Sequence, residues 1–170
     1  MRTGMKLRVQ HPRTLGADRI ANAVAAHARW GGPVGIVDLG TATTVDAVNG
    51  RGEFVGGAIA PGFRASGESL FRSAAQLPRV ELIAPQGGVI GRNTEDAVQA
   101  GLFHGFVGML DHLARSMREA LAPDDDPSTV CVVGTGDYAV LFQDASAELR
   151  EVDRMLTLRG LALLYARNVA

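Results

Sequence analysis

The sequence predicts an α/β domain with a mixed sheet flanked by helices. Apolar strand-like runs alternate with helical ones, three glycine-containing turns follow strands or precede helices, and one apolar helical face spans 95–121. The chain has 170 residues, enough for one packed core and too few for two ordinary domains. Hydrophobic residues make up 46% and charged residues 21%, which excludes disorder as the default state. A formal net charge of -1 gives no reason to expect a nucleic-acid or anionic-membrane partner. The single cysteine, Cys131, cannot close an internal disulfide and sits in the apolar run TVCVVG, so a buried thiol in a reducing cytoplasm is expected. No apolar stretch approaches the ~18 residues of a membrane span, and the start MRTGMKLRVQ has no signal-peptide core. Glycine is frequent, 21 residues without a collagen-like period, which suits tight turns and close backbone approaches.

The first residues, 1–14, are basic and contain a proline; they read as a stub leading into something else, with the domain proper at 15–170. Ile20 to Arg29 is alanine-rich and predicts a helix, broken by Gly31-Gly32-Pro33. Val34 to Val37 predicts a buried strand, TTVDAVN a second, and NGRGE a turn before FVGGAIAP. Glu68 to Ala75 is expected as a helix. In the long helix, Val98, Leu102, Phe106, Leu110, Leu113, Met117 and Leu121 share one face. Gly101, Gly105 and Gly108 form a second stripe there, costing about 1 kcal/mol each against alanine. Close approach of another backbone, from this chain or a second subunit, would offset that cost. Asp124, Asp125 and Asp126 predict an exposed turn rather than a metal cage. TVCVVGTG is a strand entering a glycine turn, Tyr138 to Phe142 starts a helix, LREVD is a short strand, and MLTLRGLALLYARN closes the chain as an amphipathic helix.

The turns carry the candidate chemistry. Asp38-Leu39-Gly40-Thr41-Ala42-Thr43-Thr44 puts a carboxylate, backbone N–H groups and hydroxyls at a strand end, a pattern that can surround a phosphate while the carboxylate holds a cation. No GxxxxGK[ST] occurs, so there is no Walker lysine. A plain strand-end turn would use the same residues. Asp18, in Gly16-Ala17-Asp18-Arg19, is either an N-cap or a general base for a hydroxyl nucleophile, with Arg19 on an anionic group. Thr94, in Gly91-Arg92-Asn93-Thr94, is either the N-cap of the long helix or a substrate contact. Gly134-Thr135-Gly136 is a place where an adenosine can lie against backbone. The histidines lack paired metal ligands, and Asp46 is the one further carboxylate expected near Asp38.

GADRIANAVAA, DLGTATTVD, GGAIAPG, LP followed by GRNT, and LTLRGLALLYARN occur in the order and spacing of type III pantothenate kinases, and the chain resembles that family from about Leu15 to Asn168. The resemblance implies an actin-like (ribonuclease H-like) ATPase lobe, the second of two that enclose ATP, in a homodimer. It implies ATP-dependent phosphorylation of pantothenate, the first step toward coenzyme A, with Mg²⁺ and a monovalent cation, K⁺ or NH₄⁺. Asp18 matches the catalytic base, and Gly16, Ala17, Arg19 and Thr94 match substrate contacts. Asp38 matches the cation ligand, with Gly40, Thr41 and Thr43 at the phosphates and Gly134, Thr135 and Gly136 at the adenosine. The pattern is broken at Asp137, where the family has a second glycine, and the family's Asp-x-Gly-Asn-Thr motif is absent from this sequence. The expectation is therefore a chain lacking the first lobe and inactive alone. The alternatives are a non-catalytic regulatory or scaffold descendant of the accessory-transcription-factor type, or a phosphotransferase with another acceptor; neither needs both GADR and GRNT.

Overall fold

The computed structural model describes residues 2–122 and 126–169. Six strands and five helices follow in the order β1 (Lys6–Leu7), α1 (Ala17–Trp30), β2 (Val34–Leu39), β3 (Ala42–Val48), β4 (Glu53–Pro61), α2 (Phe63–Ser73), α3 (Thr94–Leu121), β5 (Cys131–Thr135), α4 (Ala139–Gln143), β6 (Glu151–Val152) and α5 (Leu156–Val169). The sheet order is β1-β4-β3-β2-β5-β6. β2, β3 and β4 form an antiparallel meander, while β5 joins β2 in parallel and β6 joins β5. The sheet is mixed, as expected.

Strand periodicity divides the core into two. Val34, Ile36, Val48, Phe54 and Val133 pack with Ile20, Val24, Leu156 and Leu164 of α1 and α5. Val37, Leu39, Val45 and Val132 pack with Phe63, Phe103, Phe106, Leu110 and Phe142 on the other side. Val132 and Val133 are chain neighbours serving opposite cores, because successive strand side chains point to opposite faces. Helices cover β2 on both sides, which is why its run VGIV is uninterrupted apolar up to Asp38.

Several elements differ from the expectations. Residues 6–7 pair in parallel with Glu53 and Phe54 of β4, and Met5 is buried in the first core; this segment is part of the same sheet. α2 begins five residues earlier than expected and ends at Ser73, because Gly67 lies inside it, packed near Leu82, rather than breaking it. On α3 the buried positions are Ala100, Phe103, Phe106, Leu110 and Ala114, so the core face keeps Phe106 and Leu110 of the expected stripe and is otherwise rotated to Ala100, Phe103 and Ala114. Gly101, Gly105 and Gly108 are exposed and meet no atom within 4 Å; close approach by another part of this chain is excluded among the described residues. Asp126 caps a short turn through the Ser128 N–H, whereas Asp124 and Asp125 lie outside the described residues.

Candidate functional site

Asp38 is the last inward-facing residue of β2 on the α1 side, and the parallel pairing of β2 with β5 sets it opposite Thr135. Ligands of open α/β sheets bind at such carboxyl strand ends. One carboxylate oxygen, Oδ2, accepts a 2.8 Å hydrogen bond from the Asn22 side-chain amide. The other, Oδ1, faces two residues without side chains: a Cβ on Gly136 would come within 2.6 Å of it and one on Gly40 within 3.6 Å. Gly136 has φ +90°, which its lack of a side chain permits, so the turn after β5 folds back against Leu39 and leaves Oδ1 open. Burial pushes the Asp38 carboxyl above the usual carboxylate range; the Asn22 bond lowers it, and the charges of Asp18, Asp46 and Asp137 raise it further. Four carboxylates thus share one electrostatic neighbourhood, a setting that attracts cations.

Asp46 lies two registers along β3, opposite Ile36, and is fully buried. It receives Arg19: Nε donates to Oδ1 at 2.9 Å and to Oδ2 at 3.1 Å, Nη2 donates to Oδ1, and the Thr44 hydroxyl donates to Oδ2 at 3.2 Å. Burial still raises the Asp46 carboxyl above its ordinary value, ahead of the lowering by Arg19. Arg19 is therefore first a partner of Asp46. Its Nη1 makes no hydrogen bond among the described residues, and Arg19 lines a cleft of about 440 Å³ together with Arg8, His11, Thr14 and Leu15. Any role for Arg19 on an anion runs through that remaining edge.

The other expected residues divide into those the fold brings to Asp38 and those it does not. Asp18 is exposed in the first turn of α1, above the Asp38–Asp46 face. It is not the N-cap: Gly16 takes that position without a side-chain bond, and Asp18 Oδ1 accepts from the Arg19 N–H at 2.9 Å. Ala17 opens the helix. Gly40 and Thr41 form the turn between β2 and β3, with Thr41 exposed, while Thr43 is wholly buried and its hydroxyl has no partner among the described residues. Gly134 and Thr135 end β5 beside Val37 and Asp38, and the Thr135 hydroxyl is likewise buried without a partner. Asp137 is exposed and, like every described non-glycine residue, has no positive φ, so replacing a glycine there strains nothing. Thr94 stands apart. It is exposed at the first position of α3, whose N-cap is Asn93, accepting from the Asp96 N–H at 2.8 Å. The cavity there, lined by Ile83, Ile90, Gly91, Arg92 and Asp96, shares no residue with the Asp38 neighbourhood.

Sequence reasoning passed over Asn22. It is fully buried, its amide holds Asp38, and its Oδ1 accepts a 2.7 Å bond from the Thr157 hydroxyl on α5. The available signal was an asparagine, a weak helix former, inside an otherwise apolar buried run.

A cation at this site would meet one unengaged carboxylate oxygen beside open backbone. Among the described residues no three His, Cys, Asp or Glu side chains gather as metal ligands. Such a donor set fits an oxygen-loving ion that takes most of its ligands from a phosphate ligand and water, as Mg²⁺ does. It also fits a monovalent cation.

Fold and site define a helix-flanked α/β domain that presents a carboxylate and glycine turns at the ends of parallel strands. A family model described as type III pantothenate kinase matches residues 1–116. A type III pantothenate kinase of Syntrophotalea carbinolica is 48% identical over 168 residues, covering 99% of this chain and 64% of that protein. One of Streptomyces coelicolor is 46% identical over 170 residues, covering 100% and 63%. The chain belongs to the type III pantothenate kinase family, and spans less than two thirds of the length of these relatives. A crystal structure of a conserved Baf family transcriptional activator from Campylobacter jejuni matches with TM-score 0.62 at 23% identity, over 92% of this chain and 66% of that one. That likeness shows the shared fold alone. No helix of the described residues is long and apolar enough to cross a membrane.

Proposed function

We propose that this chain is the second lobe of a type III pantothenate kinase, residues 15–170 carrying the acceptor base, one phosphate loop and the adenosine turn. The reaction is phosphorylation of the pantothenate primary hydroxyl by ATP, in the cytoplasm and within a homodimer. The observation that carries this reading is the Asp38 carboxylate, tethered through one oxygen and open through the other, with Asp18 above it at the head of α1.

Asp18 accepts the proton of the hydroxyl, whose oxygen attacks the γ-phosphorus as the bond to the ADP oxygen breaks. Phosphoryl transfer depends mostly on alignment and charge neutralisation, so removing the proton is one part of the catalysis. Mg²⁺ with the nucleotide, and K⁺ or NH₄⁺ beside it, supply the positive charge that no lysine supplies here. Asp38 orients that charge, Gly40, Thr41 and Thr43 form the phosphate turn, and Gly134, Thr135 and Gly136 leave backbone bare for the adenosine. Gly16, Ala17 and Arg19 bound the acceptor cleft, and Thr94 belongs to the acceptor site from the far end of the lobe or from the second subunit. Retention of both Asp18 and the Asp38 turn favours a kinase over a scaffold, which needs neither.

Saturation-transfer NMR, which detects weak binding, tests this reading on the chain itself. Pantothenate and a non-hydrolysable ATP analogue should each give signals. Asp38→Ala should remove those of the analogue, and Arg19→Ala those of pantothenate. Absence of both signals from the unsubstituted chain would overturn the assignment.

A further inference from the structure

α1 buries every residue from Ile20 to Ala26, and Asn22 is the one polar side chain in that run. Asparagine there costs about 0.7 kcal/mol in helix propensity against alanine, and a buried amide left without partners costs more. Both ends of this amide are satisfied, by groups from different elements. Asp38, when ionised, can only accept, so the Asn22 NH₂ must face it and the Asn22 carbonyl oxygen must face Thr157. Thr157 then donates its O–H. The polarity of the chain of bonds is fixed: Thr157 hydroxyl to Asn22 oxygen at 2.7 Å, Asn22 amide to Asp38 Oδ2 at 2.8 Å.

Helix packing brings the distant partner into place. Gly160 lies one turn after Thr157 on the same face of α5. A Cβ on Gly160 would collide with the backbone of Ala21, the residue before Asn22. The bare α-carbon lets α5 lie directly on α1, and that approach sets the Thr157 hydroxyl against Asn22.

We propose that Thr157 and Asn22 are positioning residues for Asp38, a relay from α5 that locks the amide of Asn22 and so holds Oδ1 of Asp38 toward the cation and phosphate turn. Without the hydroxyl, the Asn22 amide can rotate, Oδ2 loses its fixed donor, and the carboxylate is free to swing from the position facing Gly40 and Gly136. The inference rests on reading Asp38 as the carboxylate of that site.

The test is an NMR titration of the full chain with KCl, at ionic strength matched by choline chloride, following the Gly40 and Gly136 backbone amides and the Asn22 side-chain amide. In the unsubstituted chain both glycine amides should shift saturably with K⁺, and the Asn22 NH₂ protons should exchange slowly with solvent. Thr157→Val, which keeps the shape and removes the donor, should weaken the K⁺ response and speed Asn22 exchange, each by roughly tenfold, the scale of one lost hydrogen bond. Thr157→Ser should restore both. A Thr157→Val chain with the unsubstituted K⁺ response would overturn the relay while leaving the Asp38 site standing. If the unsubstituted chain itself gives no K⁺ response, the reading of Asp38 fails and the relay has no function to serve. Should Thr157→Val unfold the chain, Asn22→Ala and Thr157→Ser decide. A normal K⁺ response in Asn22→Ala overturns the proposal, and a loss in Asn22→Ala with retention in Thr157→Ser upholds it.

Discussion

Asp38, half-buried, and Asp46, fully buried, are two carboxylates on one face of the sheet with opposite provisions. Asp46 has a cation, Arg19, and a hydroxyl, Thr44; Asp38 has one neutral amide and three acidic neighbours. An ionised carboxylate so placed destabilises the domain unless a cation joins it, a common cost of functional sites. Since the folded-state pKa of Asp38 is raised, the folded chain binds more protons than the unfolded one at mildly acidic pH. Its contribution to stability is fully present below the unfolded carboxylate value and is lost as pH rises through the folded one. Asp38→Asn should therefore raise the melting temperature at pH 7–8 in choline buffer, and the gain should fade toward pH 4. A gain independent of pH, or a loss, would show that burial does not set this group. Asp18 is exposed, and in the proposed reaction it is the base. In a completed enzyme Asp18→Asn should lower kcat by roughly 10²–10⁴-fold, the usual scale for a general base, while nucleotide affinity measured by calorimetry stays unchanged. An unchanged kcat would reduce Asp18 to a helix-terminal charge. Local geometry was legible where the turn is contiguous in sequence, as in Asp38 to Thr44. The pairing of Asn22 was not, because its second partner lies 135 residues away in sequence.

At the scale of elements, strands β2 to β5 and their turns followed the sequence closely, since apolar runs bounded by glycine leave few alternatives. The two-residue β1, by contrast, was hidden in the basic stub. Helices were less legible wherever glycine or alanine decides. The helix expected over Glu68 to Ala75 begins at Phe63, and Gly67 sits inside it where Leu82 crosses. Ala100 and Ala114 were not on the expected apolar face of α3, yet they are core residues beside Phe103, Phe106 and Leu110. Glycine spacing also suggested a tight packing stripe at Gly101, Gly105 and Gly108, and in this chain that stripe faces open space. The two glycine sets therefore make opposite predictions. Replacing Gly101, Gly105 and Gly108 by alanine should stabilise α3 by up to about 1 kcal/mol per position, seen as a higher melting temperature. Gly105→Leu should likewise raise monomer stability, since leucine is nearly as good a helix former as alanine, and should dissociate a dimer whose contact is this stripe, seen by size exclusion. Lower melting temperatures would mean that the glycines serve the monomer. Gly160→Ala should instead destabilise the chain, since it forces α5 off α1, and an unchanged melting temperature would show that the two helices can separate without cost.

On the proposed reading, the molecule as a whole presents one side of a phosphate site. The residues facing the Asp38 neighbourhood come from α1, β2, β3 and the turn after β5, and no second phosphate turn faces them among the described residues. The family's Asp-x-Gly-Asn-Thr motif is absent from this sequence, and relatives are half as long again. The surface is consistent with an unshared interface: Leu158, Leu161 and Tyr165 recur at helical spacing along α5 and are 57%, 46% and 70% exposed. Exposed apolar patches of that kind bind something or self-associate. Phosphoryl transfer needs donors around all the equatorial oxygens and exclusion of water, and a single open face of a lobe supplies neither. The chain alone should therefore show no turnover in a coupled ADP-release assay with pantothenate, ATP, Mg²⁺ and K⁺. It should form concentration-dependent oligomers by light scattering. Addition of the N-terminal segment of a relative that carries the Asp-x-Gly-Asn-Thr motif should restore turnover and disperse the oligomers together, because one partner covers both the phosphates and the apolar face. Turnover that returns while the oligomers persist would separate the phosphate face from the α5 stripe. Robust turnover by the chain alone would show that the Asp38 face closes a phosphoryl-transfer site without a second lobe, and the two-lobed reading would fall.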